Sequence, residues 1–402
     1  MEETININKS IDSKRKMIIE SPSYILRAIM FVLGTYLILI LSILLVLAIA
    51  GGLIGAFFLI VYIFMELFNV TRMRVPIGFV VALCVGAYYG VSIILKSIYY
   101  SFFRTNKGSF QPALLLNLHE HKELQNLIFE LCTKMRVKKP SNILLHSEPT
   151  FYVTEGKIRT FDRELSGRTL AIGVPLLGYL TTNEFRAILS HEFAHFSGKD
   201  TLYSKIIHPV YLSTINSIQR LQEFIDYNLN NEDRSTYSLP LIIPNFLLKF
   251  YVRKFELMNC RISRIREHRA DIIAEEICGG KAFKEGLSKV YSISEIFNIL
   301  SNKHIYELYK EGKIYTNYYK YFRSIREYIN EQSEYIISNK LRECVDDLDT
   351  HPVLSDRIEL IKSDDNKYNN NKLAETLINN LESYEEELTE IYTHYSRVIN
   401  GW

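Results

Sequence analysis

The feature that most constrains this chain is an apolar run near its N-terminus. Between residues 28 and 65 there is no Lys, Arg, Asp, Glu or His. One crossing of a bilayer needs roughly 20 apolar residues, and the apolar core of a signal peptide has roughly 7–15. The run is too long for either, and it also exceeds the usual length of helices in soluble proteins. It therefore predicts a segment embedded in a membrane.

The number of membrane spans depends on how this run is divided. Gly51-Gly52 lies in its middle and predicts a tight turn, which gives a helical hairpin of about 26–49 and 53–69. A second apolar run, 75–95, is long enough to span again. The alternative is two spans, with one long tilted first helix followed by 75–95. The sequence thus predicts a membrane domain at 24–104 with two or three spans.

Charges beside the spans bear on the orientation of the chain. Residues 1–23 form a basic tail that the positive-inside rule places in the cytoplasm. Two spans return the chain to the cytoplasm, where Lys96 and Arg104 also fit, whereas three spans leave the rest outside. The five cysteines form no C-x-x-C pair, and free thiols favour a reducing compartment. We therefore expect a multi-pass protein of the cell membrane with its soluble part in the cytoplasm.

The soluble part, 110–402, reads as one domain of class α+β that is mainly helical with a small sheet. Most of 281–402 has the helical apolar period, and the short runs 141–149 and 169–177 predict strands. Pro175 ends the second strand or places it at a sheet edge, because proline lacks an amide hydrogen. The formal net charge of +2 gives no sign of a nucleic-acid partner.

A candidate metal-binding motif follows the second strand. Thr181 and Glu184 form a capping-box pattern that begins a helix, and Ser197-Gly198 ends it. His191 and His195 are four residues apart on this helix, so both imidazoles lie on one face and can bind one Zn²⁺. A polar stripe on an ordinary helix is the alternative interpretation of the same residues.

A catalytic zinc needs a third protein ligand and an open fourth position. The form in which a third histidine follows shortly after the motif fails, because that position is Thr201. The other option is a glutamate on a later helix. Residues 259–277 are helical by composition and carry Glu267, with Asp271 four residues on and on the same face. His268 points about 100° away from Glu267, so we expect it to be solvated.

These motifs resemble those of the membrane zinc metalloproteases that include the CAAX prenyl protease and the bacterial HtpX heat-shock protease. The resemblance is carried by HEFAH at 191–195, SRIREHRAD at 263–271 and DTHPVLSDRI at 349–358, in the family's order. The resemblance covers about 110–362, and it extends to the presence of N-terminal membrane spans. It implies that 110–402 is a zincin-type metalloprotease domain that holds one Zn²⁺ per chain and hydrolyses peptide bonds of proteins or peptides.

The resemblance also implies a role for each matched residue. The zinc ligands would be His191, His195 and Glu267. Glu192 would activate the attacking water as general base, since it lies one step round the helix from the ligand histidines.

Four further residues would act around the metal by the same resemblance. Asp200 and Asp271 would orient the ligands. His351 and Arg357 would lie near the site, where they could help hold the oxyanion or a carboxylate close to the zinc. A structural ion pair is the alternative interpretation of Arg357.

The chain departs from the family between the two halves of the site. The apolar segments 206–215 and 238–252 are too short to cross a bilayer, and Pro240 and Pro244 break the second. We interpret both as helices near the site or on the membrane surface. A chamber enclosed by many spans, and with it the prenyl protease's substrate, is therefore not expected.

The proposed substrate is an extended polypeptide that adds a strand along an edge near 169–177. This mode tolerates many sequences and suits degradation of unfolded or membrane-associated polypeptides, as in membrane protein quality control. One alternative is a catalytically inactive, membrane-anchored zinc-binding scaffold. A transporter is disfavoured, because the spans have almost no ionisable residues.

Overall fold

The structure is a computed structural model that describes residues 23–68, 77–103, 109–196, 200–230, 232–344 and 346–401. Only the backbone is described for 23–25, 27–28, 100–103, 200–209 and 232–234. The chain divides into two compact units. Of the described residues, those within 106–201 and 263–401 form the sheet unit, and those within 23–105 and 202–262 form the long-helix unit.

Helices make up most of both units. The α-helices of the described residues are α1 Ser23–Leu67, α2 Ile77–Phe103, α3 Lys122–Met135, α4 Val174–Leu177, α5 Thr182–Ala194, α6 Asp200–Leu229, α7 Ile242–Cys278, α8 Gly280–Lys310, α9 Tyr318–Ser324, α10 Arg326–Lys340, α11 Leu354–Glu359 and α12 Leu381–Asn400. Short 3₁₀ turns are Leu118–Glu120, Glu232–Leu241 and Ala374–Leu377.

Seven short strands form two small sheets in the described part of the chain. The strands are β1 Ser109–Phe110, β2 Ala113–Leu115, β3 Asn142–His146, β4 Phe151–Glu155, β5 Ile158–Arg159, β6 Glu164–Leu165 and β7 Arg168–Gly173. The larger sheet has the order β2-β3-β7-β4 and the smaller one β1-β5-β6. Two N-terminal apolar helices followed by a mainly helical region with small mixed sheets confirm the predicted fold class.

The strand predicted at 169–177 occupies an inner position of its sheet. β7 pairs in parallel with β3 and antiparallel with β4, so both of its edges are used. The expectation that it is an edge strand is therefore wrong. The strand ends at Gly173, and Pro175 lies in α4, where its missing amide hydrogen costs the sheet nothing. The open edge on this side belongs to β4, whose one partner strand in the described part of the chain is β7.

Helix α5 starts as the sequence predicts. The hydroxyl of Thr181 accepts from the amide of Glu184, and the carboxylate of Glu184 accepts from the amide of Thr181. This capping box satisfies two amides that a helix start leaves without partners. Lys289 of α8 also donates to Glu184, at 2.7 and 2.8 Å, which fixes the start of α5 against α8. The predicted helix end at Ser197-Gly198 lies outside the described residues.

The body of α5 is buried in the main core of the sheet unit. Phe185, Leu189 and Phe193 have no exposed surface, and Ile188 is 4% exposed. Phe151 at the start of β4 packs edge-on against Phe185, with ring centroids 5.7 Å apart. Because this face is held by the core and the sheet, the end of α5 has a fixed position for any side chain it carries.

In the long-helix unit, α1 runs without interruption through Gly51-Gly52. The predicted turn, and with it the hairpin of 26–49 and 53–69, is wrong. A glycine inside a helix costs only about 1 kcal/mol, and neighbours here lack the polar side chains that stabilise a turn. In an apolar surrounding the backbone keeps its hydrogen bonds within the helix.

Two helices of the described residues are long and apolar enough to cross a membrane. They are Ile29–Leu67 and Ile77–Tyr99. At about 1.5 Å per residue, the 39 residues of the first stretch measure about 58 Å, roughly twice the apolar thickness of a bilayer. This length matches the predicted alternative of one long first helix followed by one shorter span.

The segments predicted at 206–215 and 238–252 pack against α1 and α2. Ser213 donates to the carbonyl of Ser97 at 2.7 Å, and the backbone carbonyl of Tyr237 lies directly against Gly86. Pro240 lies in a 3₁₀ turn, and Pro244 lies in the first turn of α7. A first-turn proline does not interrupt a helix, because its amide hydrogen would have no partner there. The expected break at Pro244 is therefore wrong.

Candidate metal centre

Three side chains that could bind a metal converge between α5 and α7. The ligand atoms of His191, His195 and Glu267 all lie within 4.8 Å of one another. Nε2 of His191 is 3.4 Å from one carboxylate oxygen of Glu267, and Nε2 of His195 is 3.3 Å from the other. The helical period brings the two histidines together, while Glu267 comes from a helix more than seventy residues later, so only the fold completes the group.

Asp271 determines which nitrogen of His191 is available. Nδ1 of His191 lies 2.9 Å from Oδ1 of Asp271, and a carboxylate can only accept, so Nδ1 carries the hydrogen. When the ring is neutral, as a metal ligand must be, Nε2 is then the nitrogen that carries the lone pair, on the side of Glu267. A carboxylate behind a ligand histidine, which orients the ring and raises its basicity, is the usual arrangement at zinc sites.

Arg357 of α11 holds Asp271 in turn. Its Nε donates to Oδ2 at 2.9 Å and its Nη2 donates to Oδ1 at 2.6 Å, a bidentate pair with both groups buried. Nη1 of Arg357 lies 3.7 Å from Glu267 and 3.4 Å from the hydroxyl of Tyr291 on α8. The guanidinium of Arg357 is thus engaged by Asp271 in the interior, as the ion-pair interpretation of this residue expects.

The phenyl ring of Phe283 supports the His191 ring from α8. The two rings are stacked with centroids 5.9 Å apart and planes at 23°. Phe283 and Tyr291 are therefore contacts of the site that the sequence does not predict. They belong to the apolar face of α8, and no local pattern distinguishes them from other core residues of that face.

Glu192 is partly buried and has the environment of a proton-transfer group. Burial raises the pKa of Glu192 to about 7; the positive His191 opposes this rise and the negative Glu267 adds to it. A carboxyl group that titrates near neutral pH can both take and return a proton under ordinary conditions.

His351 approaches the same cluster from the segment before α11. Its Nδ1 lies 3.3 Å from Oε2 of Glu267, although 64% of its side chain is exposed. Thus His351 borders the cluster from the solvent side, where it can contact a bound molecule. Arg357, which the resemblance places beside it, is by contrast enclosed.

The charges within the cluster are strongly coupled. Burial disfavours the charged form of His191, but hydrogen bonds to Asp271 and Glu267 outweigh it and raise its pKa to about 9. Burial and the charge of His191 lower the pKa of His195 to about 3. Burial favours the neutral form of Glu267, but His191 and His351 hold the pKa of this carboxyl far below its usual range. The cluster therefore places a carboxylate anion beside imidazole nitrogens, and a buried set of such atoms is suited to binding a cation.

Three residues singled out from the sequence remain to be placed. Asp200 begins α6, but its side chain lies outside the described part, so its role stays a prediction. Nδ1 of His195 is buried and has no hydrogen-bond partner among the described residues. The prediction that His268 is solvated is wrong: only 15% of its side chain is exposed, and Nδ1 lies 4.0 Å from Asp271.

The donor set fits a zinc ion. Two imidazoles and one carboxylate are the protein ligands of a known class of catalytic zinc centres, which leave a fourth position open. Here Asp271 holds Nδ1 of one imidazole, so that Nε2 faces Glu267, and the carboxylate of Asp271 is in turn held by Arg357. Three residues that were neighbours by chance would not be expected to have a carboxylate and an arginine behind them that fix the orientation of one ring.

Fold and site together define a metallopeptidase-type centre on two helices. The chain belongs to peptidase family M48, whose family model matches residues 119–365, more than half of its length. That match includes α5 and the part of α7 that carries Glu267, together with the segment of His351 and Arg357.

Curated relatives of the chain are named as homologues of the protease HtpX. One from Neisseria meningitidis serogroup C is 25% identical over 174 residues, which are 42% of this chain and 59% of the relative. One from Thermoplasma volcanium is 29% identical over 128 residues, 31% and 38% of the two chains. One from Archaeoglobus fulgidus is 21% identical over 255 residues, 60% and 68%. The chain spans about three fifths of the Neisseria relative.

A solved structure, that of Ste24p from S. mikatae, also aligns with the chain. The alignment has a TM-score of 0.33 and 16% identity, and it covers 82% of this chain and 66% of the other.

Proposed function

We propose that the chain is a membrane-anchored zinc metalloendopeptidase that hydrolyses peptide bonds of proteins or peptides, with one Zn²⁺ per chain. The observation that carries this is the convergence of His191, His195 and Glu267 with Asp271 behind the first histidine. Membership of peptidase family M48 supports the same conclusion. His191, His195 and Glu267 would hold the ion, and Asp200 and Asp271 would orient its ligands.

A bound Zn²⁺ would supply Lewis acidity toward the scissile carbonyl and would acidify the attacking water. Glu192 takes a proton from that water and later gives it to the leaving amine, a cycle to which a pKa near 7 is suited. His351 lies on the solvent side of the cluster, where it can donate a hydrogen bond to the oxygen on which negative charge develops. Arg357 contributes by positioning, since its guanidinium is engaged by Asp271.

Substrate would bind as an added strand along β4. β4 is the open edge beside α5, whereas β7 is paired on both sides. Main-chain hydrogen bonds along such an edge tolerate many side chains, which suits unfolded or membrane-associated substrates and a role in membrane protein quality control. Replacing Thr154, the fourth residue of this five-residue strand, by proline should disrupt the edge and raise KM for an extended peptide.

The proposed domain plan is a basic tail at 1–23, a membrane domain at 24–104 and a metalloprotease domain at 110–402. The structure groups Leu202–Ile262 with the apolar helices as one unit, which supports a tight association of that insertion with the spans. With two spans, the positive-inside rule puts the tail and the protease domain on the cytoplasmic side.

Cys344 offers a direct test of this orientation. It is exposed in the sheet unit, whereas Cys132, Cys260 and Cys278 are buried. In a Cys84→Ala background, an impermeant maleimide applied to sealed cells should label Cys344 only after the membrane is permeabilised. Labelling in intact cells would place the protease domain outside.

Hydrolysis itself is tested with the purified full chain in detergent. Unfolded casein should be cleaved by the zinc-loaded protein, cleavage should stop after chelation, and it should return when Zn²⁺ is added back. A protein that binds zinc tightly but cleaves neither casein nor unfolded membrane proteins would instead be the inactive zinc-binding scaffold. The same casein assay measures kcat and KM for the substituted proteins.

A further inference from the structure

Three residues of α7 form one stripe that faces the segment carrying His351. Arg264, Glu267 and Asp271 are at positions i, i+3 and i+7 of the helix, which places them on one face. They contact the later segment in order: Arg264 meets residues 346–349, Glu267 meets His351, and Asp271 meets Arg357. The segment therefore lies along this face of α7 and is held at both ends.

The contact at the first end is made by a single guanidinium. Nη1 of Arg264 donates to the backbone carbonyl of Asp349 at 2.6 Å and lies 3.3 Å from the carbonyls of Asp346 and Asp347. The turn is closed on itself, since the amide of Asp349 donates to the carbonyl of Asp346 at 3.1 Å. Three carbonyl oxygens that converge on one point create a negative potential, and a cation there stabilises the turn.

His351 depends on this anchor on its N-terminal side, whereas the buried Pro352 and Leu354 hold the chain that follows it. Its side chain is 64% exposed, so packing does not determine its place over Glu267. The other anchor, Arg357, is six residues further along the chain. Without a fixed turn at 346–349, the backbone before His351 would be free to swing away from the cluster, at an entropic gain for the loop.

We propose that Arg264 is a positioning residue for the reaction: by binding the 346–349 turn it holds His351 opposite Glu267. This inference rests on the proposed peptidase function and adds to it a residue that touches neither metal nor substrate. A catalytic side chain that is displaced by about 1 Å can lower the rate by about 100-fold, so we expect a large effect on turnover.

The test compares Arg264→Met with His351→Ala and with the double variant, all zinc-loaded and assayed for kcat and KM. If Arg264 acts through His351, both single variants lower kcat, and the double variant is no slower than His351→Ala within about threefold. Arg264→Lys, which keeps one cation, should recover part of the loss. Arg261→Met, an exposed arginine three residues earlier on the same helix, is the matched control and should behave as the unmodified protein.

Additive losses in the double variant, or an unchanged kcat in either single variant, would overturn the proposal. Hydrogen exchange of the amides of 346–351 is measured on the same proteins and does not depend on activity. Arg264→Met should speed this exchange at least tenfold while that of α5 stays unchanged, and unchanged exchange at 346–351 would also overturn it. If the unmodified protein lacks hydrolysis, the proposed function fails, and the exchange result still decides the placement of the turn.

Discussion

Asp271 lies between His191 and Arg357, 2.9 Å from Nδ1 of the histidine and paired with the arginine through both carboxylate oxygens. Its carboxylate therefore orients a proposed zinc ligand and is itself held in place. Asp271→Ala should weaken zinc binding by about 10–100-fold, the usual effect of losing a partner behind a metal ligand. Competition with a fluorescent chelator measures the affinity. Asp364→Ala, at a carboxylate that is 83% exposed, is the control and should leave it unchanged.

The ion pair of Arg357 with Asp271 should also matter for stability. Arg357→Met leaves Asp271 as a buried charge without its cation, and breaking a buried pair in this way costs about 3–5 kcal/mol. We expect a lower free energy of unfolding in urea for the zinc-free protein. Arg357→Met combined with Asp271→Leu removes both charges and should recover much of the loss. If the double variant loses as much free energy of unfolding as the single variant, the ion pair does not account for the loss.

A corresponding exposed pair gives the control. Lys320 and Glu382 are more than half exposed, and exposed pairs contribute little to stability. Lys320→Met should therefore leave the urea midpoint without a measurable change. A loss similar to that of Arg357→Met would show that the method responds to any lost cation.

The local parts of the site could be predicted from the sequence. The capping box of Thr181 and Glu184 and the shared face of His191 and His195 depend on residues three or four positions apart, and helix geometry alone determines them. The third proposed ligand is different. The residues offered Glu267 as one option on a later helix, but its position beside the histidines depends on the approach of α7 to α5, which is not a local property.

The wrong predictions share a physical cause, because each concerned a residue whose conformation depends on its surroundings in the fold. Gly51-Gly52 indicated a turn, but without polar neighbours the glycines stay helical. Pro175 indicated a strand end or an edge strand; β7 does end before it, but it pairs on both sides and is not an edge. The support of His191 by Phe283 is likewise a contact between separate helices. None of these neighbours can be inferred from the local sequence.

Close packing in the long-helix unit gives a further prediction. At Gly86 an added methyl group would meet the backbone carbonyl of Tyr237, which cannot rotate away, whereas at Gly55 nothing lies within 4 Å. Gly86→Ala should therefore destabilise the protein by about 1–3 kcal/mol, as overpacking generally does. Gly55→Ala should be neutral or slightly stabilising. Thermal unfolding in detergent compares them, and equal melting temperatures would contradict the packing of the 3₁₀ turn on α2.

In the proposed mechanism, a zinc ion held by this cluster and a base beside it hydrolyse peptide bonds. Glu192→Gln keeps the shape of the side chain, removes its ability to take a proton and leaves the three ligands in place. Zinc content and casein hydrolysis are measured on the same preparation, beside the unmodified protein. We predict one zinc per chain in both proteins and a loss of kcat by about 100-fold or more in the variant. Hydrolysis at the unmodified rate by a zinc-loaded Glu192→Gln protein would contradict the claim.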